Sequence, residues 1–136
     1  MVDPGRLRRL LGALGNYRDA LEPLRDSAAR DYRGERALAG RYLVQASAQA
    51  CIDIANHVIA SSGWRVPTDF RDGFTVLEEN GVLDAGLAER MRALAGLRNR
   101  LVHVYEDVDD LIVHSSLPDG LTDLAEFSRA IARLTT

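Results

Sequence analysis

Residues 3–24 read DPGRLRRLLGALGNYRDALEPL, and their spacing decides the fold class. Leu7, Leu10, Leu14, Tyr17, Leu21 and Leu24 recur at alternating steps of three and four. Such steps line one face of an α-helix and make a seam that must be buried against a neighbouring helix. Asp3 can cap the free backbone N–H groups, and Pro4 fits the first helical position, where a missing N–H costs nothing. The same period returns along the chain. A second helix is predicted from about residue 32 to 59, with Val44, Ala48, Cys51, Ala55 and Val58 on its inner face. Residues 61–68 read as a connector broken by Gly63 and Pro67. A short helix from about residue 70 to 79 stops at Asn80-Gly81, and Asp84 caps a fourth that carries Leu87, Met91, Leu94 and Leu97 inward. A last helical region is expected near Asp107. Pro118-Asp119-Gly120 is expected to interrupt it before Leu121, Leu124, Phe127, Ile131 and Leu134 resume the period. No alternating strand pattern, repeat or low-complexity linker is present. The prediction is an all-α, up-and-down helical bundle of four to five helices, one domain over residues 1–136.

Composition narrows the function. An apolar fraction of 46% and a charged fraction of 27% over 136 residues are those of a globular chain with one core. No stretch approaches the roughly 18 uncharged apolar residues of a membrane span, and the N-terminus carries no apolar signal core. The expected compartment is cytoplasmic, with no membrane partner. The lone Cys51 can form no internal disulfide and, inside an alanine-rich run, reads as a small buried thiol. A net charge of −3 gives no global case for nucleic-acid binding. All 17 basic residues are arginine, however, and planar guanidinium forks suit phosphate oxygens. Any RNA must therefore meet a local positive patch.

That patch is expected at the end of the fourth helix, where Arg90, Arg92, Arg98 and Arg100 fall within eleven residues. They can complement the negative end of the helix dipole, or they can hold an anion. His103 and Tyr105 follow two residues apart. In an unbroken helix Arg98, Val102 and Tyr105 share a face, while His103 points roughly 140° away from Arg98. The two can share a site only if the helix loosens near His103 or if a twofold dimer brings two copies together, and the dimer is the favoured route. A histidine of near-neutral pKa and an arginine suffice to cleave RNA without a metal or cofactor: the histidine moves protons and the arginine neutralises the phosphoryl group. Glu106, Asp107, Asp109 and Asp110 suggest a metal site beside His103, but acidic residues there also cap the following helix, and no metal is expected. His57 is expected to bond a terminal carbonyl or pack beneath the loop, and His114 has no suggestive company.

Arg98, four residues, His103, one residue, then Tyr105 resembles the R-x4-H-x-Y signature of HepT-like toxins of the HEPN superfamily, with Asn99 in the polar place after the arginine. Residues 41–43 and 51–57, 70–83 and 97–105 are similar to the corresponding family segments, so the resemblance runs over roughly residues 30–130. It implies a homodimeric, metal-independent endoribonuclease toxin acting on tRNA or mRNA, with its site at the dimer cleft. Arg98 would then stabilise the phosphorane-like state and His103 act as acid and base, while Asn99 would orient phosphate or histidine beside Arg100. It also implies an MNT-type nucleotidyltransferase antitoxin that transfers AMP from ATP to Tyr105; an added phosphate beside Arg98 would occupy the anion site and repel RNA. The competing readings are a non-catalytic helical module that binds and regulates a nucleotidyltransferase, and the substrate-binding subunit of a two-chain nucleotidyltransferase.

Overall fold

The computed structural model describes residues 3–135. Among them are five α-helices, α1 (Pro4–Asp26), α2 (Glu35–Ser62), α3 (Phe70–Glu79), α4 (Ala85–His103) and α5 (Asp110–Ala132), with short 3-10 turns after α1, α4 and α5 and no strand. The helix starts follow their caps. Asp3 accepts from the backbone N–H groups of Gly5 and Arg6, Asp69 from that of Asp72, Asp84 from that of Leu87 and Asp109 from that of Leu111. Two of the stops use glycine: Gly63 takes φ 70° at the end of α2 and Gly81 takes φ 76° after α3, a region closed to most side chains.

Consecutive helices pack on one another, and α2 touches all four others. This central place explains its composition. Ala50, Cys51, Ile52, Ile54 and Ala55 are all buried, so its second half is enclosed on nearly every side rather than along the single predicted stripe. Small residues let the neighbours approach. Around α2, the core gathers Leu7, Leu14 and Leu21 of α1, Phe74 and Leu77 of α3, Met91 of α4, and Phe127 and Ile131 of α5. No helix among the described residues is long and apolar enough to cross a membrane.

Four local expectations are corrected. The second helix starts at Glu35, not near Tyr32, because Gly34 adopts φ 56° and ψ −128°, which is not helical and suits only glycine. Leu94 and Leu97 are half-buried and line an apolar groove against Leu117 and Leu121 of α5. The inward α4 positions are Leu87, Ala88, Met91, Ala95 and Leu101. Pro118 does not interrupt α5. Val113 and Leu117 before it and Leu121 and Leu124 after it are buried on one continuous face. Pro118 itself is exposed, where water can take up the carbonyl it leaves unpaired. Leu134 does not resume the period; the chain tightens into a 3-10 turn after Ala132 and leaves it exposed.

Candidate active site

Arg98 sits in the fourth turn of α4 and is held by α2. Its Nε donates to Gln49 Oε1 at 3.1 Å and its Nη1 to Asn99 Oδ1 at 3.2 Å. Gln49 is fixed in turn, its Nε2 donating to Asp53 Oδ1 at 2.8 Å. The guanidinium lies 5.2 Å from the ring centroid of Phe70 at the start of α3. Nη2 of Arg98 makes no hydrogen bond to any described residue, so the group is oriented while keeping donors for an anion. It lines a groove of about 340 Å³ together with Tyr17, Tyr42, Gln45, Gln49 and Asp53. Gln49 and Asp53 were missed by the sequence reading. Their signal was available: a polar pair four residues apart inside an otherwise alanine-rich helix.

The predicted cation cluster divides in two. Arg90 is paired with Asp123 at 2.8 Å and Glu126 at 2.9 Å, and Arg92 with Glu78 at 3.1 Å. These two are neutralised across helix contacts and do not belong to an anion site. Among the described residues Arg98 and Arg100 pair with no carboxylate. Arg71 of α3 lies against α4 in a place that spacing could not reveal; its guanidinium stands beside Gly96, where any Cβ would collide with it.

α4 stays helical through His103 and breaks one residue later. Val104 takes φ −132° and ψ 45°, its N–H still bonded to Arg100 O at 2.9 Å, and Tyr105–Asp107 form a 3-10 turn. The helix therefore does not loosen early enough to swing His103 round to Arg98. No hydrogen bond, ion pair or ring contact joins these two side chains, and His103, Asn99 and Arg100 converge on no common atom in one chain. His103 is exposed at the helix end. Tyr105 lies past the break, so it does not share the face of Arg98 by helical period.

Arg41 of α2 decides where Tyr105 goes instead. Its Nη1 donates to Tyr105 O at 2.6 Å, its Nη2 to Val108 O at 2.9 Å and its Nε to Asp110 Oδ1 at 2.7 Å. Its guanidinium carbon stands 4.1 Å from the centroid of the Tyr105 ring, leaving that residue 44% exposed. The partners lie more than sixty residues away in the chain, so no local pattern marks Arg41 for this place. Two of the four carboxylates after the motif are likewise spent on structure. Asp109 caps α5 and Asp110 takes Arg41. Among the described residues, no group of three or more His, Cys, Asp or Glu side chains is arranged to hold a metal ion.

The remaining candidates have structural places. Cys51 is fully buried, and burial pushes its thiol far above the ordinary range, which keeps it protonated and inert. His114 donates from Nε2 to Ser27 O at 2.9 Å and stacks on Tyr32 with 4.7 Å between ring centroids. His57 does not bond a terminal carbonyl through Nε2, which is buried and unpaired.

Known proteins resemble the chain over this whole arrangement. It is 38% identical over 72 residues to an mRNA nuclease HepT of Shewanella oneidensis, covering 52% of this chain and 54% of that protein; the match thus spans about half the relative's length. It is 30% identical over 133 residues to a tRNA nuclease HepT of Aphanizomenon flos-aquae, covering 96% of this chain and 90% of the other. Its fold superposes with a TM-score of 0.86 on a tri-AMPylated Shewanella oneidensis HEPN toxin solved in complex with an MNT antitoxin, at 24% identity over 93% of this chain and 96% of that one. The family model described as "Ribonuclease HepT-like" matches residues 11–131, and on that match the chain belongs to the ribonuclease HepT-like family.

Proposed function

We propose that this protein is a metal-independent endoribonuclease toxin whose site is completed by a second copy of the chain. The observation that carries this reading is the state of Arg98. The guanidinium is oriented by Gln49 and Asn99 and keeps free donors; among the described residues it meets no carboxylate, and His103, exposed five residues on, has no partner of its own. A guanidinium held in place with open donors can receive the oxygens of an anion. Family membership and the nuclease names of the relatives support RNA as that anion.

The chemistry follows from the two side chains. A neutral His103 accepts the proton of an RNA 2′-hydroxyl, and the freed oxygen attacks the adjacent phosphorus. A bond to the 5′-oxygen breaks and leaves a 2′,3′-cyclic phosphate. A protonated histidine returns a proton to the departing oxygen. Arg98 neutralises the charge that builds on the phosphoryl oxygens, with Asn99 and Arg100 beside it, and such donors act most strongly where charge develops in the transition state. One His103 can take the first proton and later give it back, and a twofold cleft is what brings it to the Arg98 of a second copy.

Regulation is proposed on the same segment. An MNT-type nucleotidyltransferase antitoxin would transfer AMP to Tyr105, two residues beyond His103, and the added phosphate would compete with RNA for the cation patch. The neighbouring fold solved as a tri-AMPylated toxin with its antitoxin supports this.

The test is expression of the chain alone. Wild type arrests growth and cleaves single-stranded RNA in the presence of EDTA. His103→Ala loses at least about a hundredfold in cleavage, the scale of one general acid–base group, and relieves the arrest. Equal toxicity of the two proteins would overturn the assignment and leave the chain as a non-catalytic module that binds a nucleotidyltransferase.

A further inference from the structure

We propose that Arg41 is a positioning residue that presents the Tyr105 hydroxyl in one orientation for covalent modification. The inference rests on the regulatory reading above and adds a residue to it. A single guanidinium uses three nitrogens at once, on the Tyr105 carbonyl, the Val108 carbonyl and the Asp110 carboxylate, at 2.6, 2.9 and 2.7 Å. The two carbonyls bracket the 3-10 turn that carries Tyr105, so Arg41 fixes the backbone from outside the turn. The same group faces the Tyr105 ring at 4.1 Å and fixes the side chain as well. Only 11% of the Arg41 side chain is exposed, whereas Tyr105 is 44% exposed. One face of the ring is therefore covered and the residue stays accessible.

Such a clamp has a chemical use. In nucleotidyl transfer the tyrosyl oxygen forms a bond to the α-phosphorus of ATP while the bond from that phosphorus to its bridging oxygen breaks. Pyrophosphate leaves and the phenolic proton passes to a base or to water. The attacking oxygen must lie in line with the leaving group. A tyrosine on a free turn meets that condition in few of its conformations, whereas one pinned at backbone and ring meets it without further ordering. Lysine cannot replace the clamp, because an ammonium group lacks the planar fork that reaches two carbonyls and a carboxylate and still covers a ring.

The experiment uses the full chain with fluorotyrosine at its four tyrosines, the Tyr105 signal being assigned by its loss in Tyr105→Phe. Fluorine NMR is recorded for wild type, Arg41→Lys and Arg41→Gln. Enzymatic transfer is then measured by intact mass on unlabelled proteins, with ATP, Mg²⁺ and an MNT-type nucleotidyltransferase of the kind proposed above. Acetylation of Tyr105 by N-acetylimidazole measures bare accessibility. The Tyr105 resonance should move towards that of free fluorotyrosine in both variants. The maximal rate of AMP transfer should fall at least about tenfold, a modest share of what misplacement of a reacting atom can cost. The KM for ATP should not move, and acetylation should be undiminished. Helical circular dichroism retained in Arg41→Lys confirms that the comparison is between folded proteins.

An unmoved resonance would overturn the clamp. A moved resonance with undiminished transfer would reduce it to a structural contact and overturn the proposal. If wild type itself takes up no AMP while its resonance is clamped, the regulatory reading has failed rather than the geometry, and the role given to Arg41 falls with it.

Discussion

Tyr32 and Gly40 make a lock between the turn after α1 and the first half of α2. The Tyr32 side chain is buried and its hydroxyl finds no hydrogen-bond partner among the described residues. That hydroxyl occupies the space a Cβ would need at Gly40. A buried donor left unpaired is costly, so Tyr32→Phe should raise stability by about 1 kcal/mol. Gly40→Ala should lower it by about 1–3 kcal/mol through overpacking. The double variant should recover part of the loss, since the atom nearest the added Cβ is gone while the ring carbon behind it still has to give way. Urea unfolding of the four proteins gives the coupling, and simple additivity would refute the lock. The sequence marks Tyr32 only as an aromatic near a helix start. That it closes on Gly40 follows from the path of the turn between them, which Gly34 bends at φ 56°.

α3 is tied to the connector before it by one charge cluster. Arg65 bonds Asp72 at 2.7 Å and Glu79 at 2.9 Å, and Asp72 also accepts from the backbone N–H of Thr68 at 2.9 Å. The Arg65 guanidinium first, and the Thr68 N–H second, hold the Asp72 carboxyl well below the usual carboxylate range; Arg65 lowers Glu79 in the same way. A folded-state value below the unfolded one means that the stabilisation is complete above the ordinary value and is lost as pH falls beneath it. The melting temperature should therefore be flat between neutral pH and about pH 5 and drop below about pH 4. Asp72→Asn should melt lower at neutral pH and show a shallower acid drop. Parallel curves would refute the cluster's part. Thermal melts by circular dichroism across this range decide it. At this scale the sequence was most readable. Caps at Asp3, Asp69, Asp84 and Asp109 and stops at Gly63 and Gly81 act within one turn of where they stand. Pro118 was misread because a local breaker competes with burial of four apolar residues of α5, and burial wins.

The chain as a whole carries a net charge of −3, so attraction for RNA rests on cations at the motif, where Arg98 and Arg100 pair with no carboxylate among the described residues. With Arg98 and His103 apart in one chain, the proposed cleft must draw them from different chains. Arg98→Ala and His103→Ala proteins, each inactive alone, should regain RNA cleavage when co-expressed, because a mixed dimer still holds one intact arginine and one intact histidine. No recovery would show that the site is built within one chain. The recovered activity should fall steeply with salt, as expected when a few phosphate contacts carry the binding.

The sequence by itself determined an all-α bundle of four to five helices and offered Arg98, Asn99, Arg100, His103 and Tyr105 as candidates, because periodicity, caps and a short signature act over a few residues. Only the tertiary structure decided which cations are free. Arg90 and Arg92 are paired with carboxylates on other helices, Arg71 of α3 lies against Gly96 of α4, and Arg98 keeps open donors on a Gln49–Asp53 support. It also separated Tyr105 from the helix and gave it to Arg41. The physical reason is common to all of these. A charge takes its partner by distance in space, and these partners stand on other helices, from 14 residues away for Arg92 and Glu78 to 69 for Arg41 and Asp110, beyond the reach of any local pattern.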